Sequence, residues 1–127
     1  MLIDDGVLDA LTRRAQNSPR RRMNLNFHES LEDKCHRFLN AIEPSADIPI
    51  HRHPEKEESF ILMRGKVRVT TYNDDDTIIE NVVLNPKEGL NIGKNVWHTV
   101  EALESSVLFE CKDGPYLPHE VEIPAKQ

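Results

Sequence analysis

His51-Arg52-His53-Pro54-Glu55-Lys56-Glu57-Glu58-Ser59-Phe60-Ile61-Leu62-Met63-Arg64-Gly65 is the stretch on which the fold turns. Side chains alternate along an extended chain, so two histidines separated by one residue point the same way. Glu58, Phe60 and Leu62 share a face by the same alternation. Neutral imidazole is the commonest protein ligand for borderline metals, and a carboxylate adds negative charge and oxygen character. A further histidine follows in Val96-Trp97-His98-Thr99-Val100. For His98 to join the others, the fold must bring strands distant in sequence together.

The rest of the chain reads as such a fold. Lys66-Val67-Arg68-Val69-Thr70-Thr71-Tyr72 alternates, and the acidic turn Asn73-Asp74-Asp75-Asp76 leads into a returning strand from Thr77 to Leu84. Phe38–Ile42, Leu90–Ile92, Trp97–Ala102 and Val107–Cys111 supply further strands, with turn residues at Glu43-Pro44-Ser45 and Asn85-Pro86-Lys87-Glu88-Gly89. Short strands at this spacing predict an all-β sandwich or barrel. One helix precedes it. Asp4 or Asp5 can cap that helix, Leu8, Leu11 and Ala15 recur at helical spacing, and Asn17-Ser18-Pro19 ends it. Residues 1–19 are therefore read as a helical segment packed on a barrel of residues 20–120, and 121–127 as a loosely held polar tail.

At 127 residues the chain is one domain. A formal charge of −6 argues against nucleic acid as the main partner. No run approaches the roughly 20 apolar residues of a membrane span, and Met1-Leu2-Ile3-Asp4-Asp5 lacks a signal-peptide pattern. Cys35 and Cys111 read as reduced thiols without a nucleophile context. The expectation is a cytoplasmic protein.

His-x-His, four residues, Glu, six residues, Gly (His51 to Gly65) resembles the first motif of the cupin superfamily. The six-residue interval selects Glu58 over Glu57. The second motif is weaker: Lys87 stands where its first glycine is usual, Gly93 where proline is usual, and Asn95 in place of the turn glycine. Asn tolerates positive φ better than most residues. Ser45 replaces the leading glycine of the first motif, and Ala102 stands where the second often has Asn.

Arg20-Arg-Arg-Met-Asn-Leu-Asn-Phe-His28, Arg37-Phe-Leu-Asn-Ala-Ile-Glu-Pro44, His51-Arg-His53, Arg64-Gly65-Lys-Val and Val107-Leu-Phe-Glu-Cys-Lys-Asp-Gly-Pro-Tyr116 together look like the WbuC family of cupin-fold metalloproteins. The resemblance implies a single-domain cupin (jelly-roll) β-barrel. It also implies one divalent metal, Fe, Mn, Ni or Zn, held by His51, His53, Glu58 and His98. Members of that family are associated with bacterial surface-polysaccharide loci, so a sugar or sugar nucleotide is the expected ligand.

Weaker candidates for ligand contact are Asn26 and His28, which share a strand face with Asn24, and Lys112 and Tyr116, which flank the Asp113-Gly114 turn. Arg37 and Asn40 point to opposite faces of a regular strand, His36 and His119 are expected at the surface, and Asp74–Asp76 reads as a solvated hairpin. No residue is an unambiguous general base. A metal-dependent isomerase, epimerase or oxygenase-type enzyme, a non-catalytic binding module and a purely structural metal therefore all stay open, and a homodimer exchanging its helix or first strand is expected.

Overall fold

The computed structural model describes residues 1–124. After α1 (Asp5–Gln16) come β1 (Arg22–Asn26), β2 (Cys35–Ile42), β3 (Glu58–Arg64), β4 (Val67–Tyr72), β5 (Ile78–Leu84), β6 (Gly89–Ile92), β7 (Trp97–Ala102) and β8 (Ser106–Asp113). Two antiparallel sheets face each other, one in the order β1-β2-β8-β3-β6 and the other β5-β4-β7. This is the all-β, two-sheet architecture with one short helix that the strand spacing predicts, in the jelly-roll form that the resemblance implies.

Alternation decides what each strand offers to either side. Along β3, Glu58, Phe60 and Leu62 are buried between the sheets while Ser59, Ile61 and Met63 face out. Val67 and Val69 of β4 meet Phe60, Leu62, Leu84, Ile92 and Leu108 in the inter-sheet core. The outer face of the larger sheet is covered as well. Leu39 and Ala41 of β2 and Val107 of β8 form a second apolar cluster with Leu8, Leu11 and Ala15 of α1. The larger sheet is thus apolar on both faces near its centre, as a sheet with a layer on each side must be.

The helix is capped as its sequence suggests: the Asp4 side chain accepts from the Val7 amide at 3.1 Å, and Asn17 is the C-cap. Arg64, at the end of β3, ion-pairs with Asp5 and Asp9 of α1 at 3.2 and 2.5 Å. The turn after Arg64 requires Gly65. Its φ is +95°, and an added Cβ would lie 2.4 Å from the Ser105 carbonyl. The two positions where the second motif departs from glycine keep the glycine conformation: Lys87 has φ 80° and Asn95 φ 63°.

Two elements differ from the sequence expectation. β2 begins at Cys35, three residues before Phe38, because Cys35, His36 and Arg37 continue the ladder with Asp113, Lys112 and Cys111 of β8. The tail is pinned at Glu122, whose main chain exchanges hydrogen bonds with Arg52 at 2.9 and 3.0 Å. Residues 125–127 lie outside the described part. Among the described residues no helix is long and apolar enough to cross a membrane.

Candidate metal centre

The His-x-His stretch is held extended by the partners of both its faces. His51 exchanges main-chain hydrogen bonds with His98 of β7 at 3.0 and 2.8 Å, and the His53 carbonyl accepts from the Asn95 amide at 2.9 Å. Arg52, between the two histidines, points the other way. Its guanidinium lies 4.0 Å from the centre of the Trp97 ring and ion-pairs with Asp74, at 3.4 Å, and with Glu122. Trp97 Nε1 donates to the same Asp74 carboxylate at 3.0 Å. The hairpin tip read as solvated therefore helps clamp the outward residue, and that clamp fixes His51 and His53 inward.

The ligand nitrogens of His51, His53 and His98 lie within 4.8 Å of one another. His51 Nδ1 is 3.0 Å from the Pro49 carbonyl and His98 Nδ1 is 2.9 Å from the Val96 carbonyl. A carbonyl only accepts, so these nitrogens carry the hydrogen and the Nε2 lone pairs turn toward the common centre. The Glu120 carbonyl stands near His53, although His53 Nδ1 has no well-formed hydrogen bond. Glu58 closes the group from β3, its carboxylate oxygens 2.9 Å from His98 Nε2 and 3.6 Å from His53 Nε2. It stands outside the three-nitrogen set and beside it. His98 Nε2, for all its closeness to Glu58, is buried and not aligned for a hydrogen bond.

Charge follows from this packing. Burial and the neighbouring His98 push the His51 imidazole down to about 4. Burial also lowers His53. Burial opposes charge on His98, but the adjacent Glu58 carboxylate outweighs it and raises that imidazole. Burial would raise Glu58 in turn, and His98 holds it low instead. The result is two neutral imidazoles, a carboxylate and a third imidazole whose proton a cation can replace. Such a donor set fits a divalent first-row ion, with positions left for water or ligand.

The centre lies in a cavity of about 290 Å³ between the sheets. Phe38, Ile42, Ile48, Val100 and Leu108 give it apolar walls, and Arg22, Asn24, Asn40, Glu110 and Lys112 are polar groups in it. Glu110 is the residue that sequence reading missed. Buried on the inner face of β8, it accepts from Asn40 Nδ2 at 2.7 Å. Burial and the charge of Glu58 push its carboxyl up to about 7. The signal was present: Leu108, Glu110 and Lys112 alternate with Val107 and Phe109, so a carboxylate occupies an inward position of a core strand.

Lys112 lines the cavity, but its ammonium is engaged. It donates to Glu120 Oε2 at 2.7 Å while Lys56 donates to Glu120 Oε1 at 2.8 Å. The cavity lining does not include Asn26, His28 or Tyr116. Asn26 lies further along β1 and is exposed, and Tyr116 is half exposed with its amide on the Leu31 carbonyl. His28 lies past the end of β1 and stacks on His36, ring centres 4.2 Å apart. His36 is not at the surface as expected. It is buried, with Nε2 3.1 Å from the Leu31 carbonyl, because β2 starts early enough to carry it under that loop. Arg37 and His119 are exposed, and both cysteines are free.

Residues 3–84 match the family described as a domain of unknown function (DUF6016). The chain belongs to the DUF6016 family. The matched span includes His51, His53 and Glu58, and His98 and Glu110 lie beyond it. No curated protein matches the sequence. Among solved structures, a recombinant oxalate oxidase in complex with glycolate is similar at TM-score 0.66 and 12% identity, over 85% of this chain and 57% of that one. The Schizosaccharomyces pombe Cnp3 cupin domain gives 0.62 and 12%, over 73% and 64%. Bacillus subtilis oxalate decarboxylase, described with Mn(II) centres, gives 0.60 and 20%, over 72% and 24%. The DUF6016 chain thus spans less than two thirds of each of these proteins, and at such identities the likeness establishes the cupin fold alone.

Proposed function

We propose that this protein binds one divalent metal through His51, His53 and His98 with Glu58, and uses it to hold a small, polar, hydroxylated molecule. The observation that carries the reading is the convergence of three imidazole nitrogens within 4.8 Å, two of them with Nδ1 tied to main-chain carbonyls, in a cavity of about 290 Å³. The Mn(II) centres of the similarly folded decarboxylase support a first-row ion. When bound, the ion would polarise a carbonyl or hydroxyl, or acidify water.

The chain's own groups do the rest. His51 and His98 are held in one tautomer by Pro49 and Val96. Phe38, Ile42 and Leu108 limit the water around the centre. Glu110, with its carboxyl raised to about 7, can give or take a proton near neutral pH, and Asn40 fixes the oxygen it would not use. An enzyme of the isomerase or epimerase type needs such a group. A sugar or sugar nucleotide in surface-polysaccharide synthesis is the substrate class suggested by the resemblance to the WbuC family. The protein acts, on this reading, inside the cell and as a homodimer.

Elemental analysis of protein purified without chelator tests the centre: about one equivalent of a first-row metal per chain is expected, and none would sink the proposal. Turnover assays on sugar nucleotides then separate enzyme from binder. Product whose formation is lost in Glu110→Gln supports the enzyme; ligand protection against unfolding without product supports a binding module.

A further inference from the structure

The cavity that holds the candidate metal has a neighbour. A second cavity of about 360 Å³ is lined by Ser18, Arg20, Arg22, Met23, Asn24 and Asn40. Arg22, Asn24 and Asn40 line both. They lie on one face of β1 and β2, and Asn24 pairs directly with Asn40 across the two strands. The two spaces therefore adjoin along one wall.

That wall carries unneutralised positive charge in a protein whose net charge is −6. Among the described residues, neither Arg20 nor Arg22 has an ion pair or a side-chain hydrogen bond. Asp47 acts on Arg22 only through its charge, and less strongly than the like charge of Arg20. The side chain of Arg22 is half-buried even so. The backbone is shaped to bring the two together. Arg21 between them has φ 56°, a left-handed conformation that non-glycine residues seldom take. Its guanidinium is tied down elsewhere, donating to Ser45 Oγ at 2.9 Å and to the Gln16 carbonyl. With Arg21 removed to one side, Arg20 and Arg22 face the same cavity. A third polar group waits there too: Asn40 Oδ1 is buried and has no hydrogen-bond partner.

The geometry points to an oxyanion subsite: Arg20 and Arg22 take the phosphate or carboxylate of a ligand whose hydroxylated body runs past Asn40 Oδ1 toward the metal centre. Guanidinium is suited to this because its fork of donors matches both oxyanions, and an unpaired hydroxyl acceptor such as Asn40 Oδ1 is satisfied by a sugar or polyol hydroxyl. The inference deepens the proposed function by naming the ligand's charge, and rests on that reading for the orientation of the ligand toward the metal. The arginine pair itself does not depend on the ion.

Calorimetric titration of glucose 6-phosphate, gluconate, inorganic phosphate and glucose into the protein as purified, and into chelator-treated protein, tests it. Glucose 6-phosphate or gluconate should bind, glucose at least about ten-fold more weakly, and the preference between the two anions tells phosphate from carboxylate. Arg22→Gln should weaken the preferred anion by about ten-fold or more with metal content unchanged, and affinity should fall as salt rises. The exposed Arg20→Gln is a second variant whose fold is not at risk, and it should weaken the same anion. Unchanged affinity in both variants overturns the subsite, as does failure of every anion to bind at millimolar concentration. Anion binding that persists in chelator-treated protein and is lost in Arg22→Gln supports the subsite even where elemental analysis has sunk the metal.

Discussion

Lys87 holds a conformation for which its side chain is unsuited. Its φ of 80° is one glycine adopts freely, while its amide still donates to the Leu62 carbonyl at 2.9 Å. A left-handed non-glycine residue costs about 1–2 kcal/mol, part of which glycine gives back through its freer unfolded chain. Lys87→Gly should therefore stabilise the protein by about 0.5–1 kcal/mol, read as a higher midpoint in denaturant; a lower midpoint would show that the Lys side chain compensates in a way its exposure does not suggest. The metal centre gives the second prediction at this scale. His51→Ala leaves His53, His98 and Glu58 unable to close the site, so metal per chain should drop to near zero. Equal occupancy in wild type and variant would show the assignment is wrong. Residue by residue, the sequence was most legible where chemistry forces spacing. The convergence of His51, His53 and His98, with Glu58 beside them, could be read ahead because alternation on extended strands fixes which side chains share a face. Glu110 was harder to read: alternation with Val107 and Phe109 carries the signal, but a single Glu in Val107-Leu108-Phe109-Glu110-Cys111 looks like any strand's polar position until the strand's inward face is known.

Among elements, β8 has the most asymmetric task. One face, through Leu108, Glu110 and Lys112, belongs to the cavity, and the other, through Val107 and Phe109, belongs to the cluster under α1. The strands themselves were legible from alternation, and the helix from Leu8, Leu11 and Ala15. What alternation does not encode is which sheet a strand joins, or that β2 would extend back to Cys35, since those depend on pairing between distant segments. Because α1 packs on the face remote from the candidate metal centre, Leu11→Ala should cost about 2–4 kcal/mol of stability and leave metal content unchanged. Loss of metal from the folded variant would mean the helix supports the site through β8. The segment after β8 is fastened by Glu120, in contact with Lys112 and Lys56. Burial alone would raise this carboxyl, and hydrogen bonds from the two ammonium groups pull it down to about 2. A carboxylate lower in the folded than in the unfolded state adds stability above about pH 4.3, and that stability is lost as pH falls toward 2. Over that window the wild type should lose stability more steeply than Glu120→Gln, as followed by thermal unfolding; parallel profiles would mean that the two ion pairs contribute nothing net.

Over the whole molecule, the site gathers residues from nearly every part of the chain. Arg22 and Asn40 come from the first strands, His51 and His53 from the stretch before β3, His98 from the opposite sheet, and Glu110 and Lys112 from the last strand. Val121 completes the lining, and Glu122 pairs with Arg52 to hold the His-x-His stretch from outside. A chain ending at Gly114 keeps all four candidate metal ligands but loses both contacts and the Glu120 anchor. Its metal affinity should fall about 10–100-fold, as it does when supporting contacts to ligands are removed; occupancy equal to that of the full chain would show the return segment to be dispensable. The pairing of Glu122 with Arg52 also bears on how the protein is made. A polypeptide emerging from the ribosome presents its three histidines and Glu58 before the residues that steady them, so an early metal would meet a half-built site. Only once Glu122 has followed can Arg52 pair with it, so the candidate centre gains its outer support after its ligands are already in place.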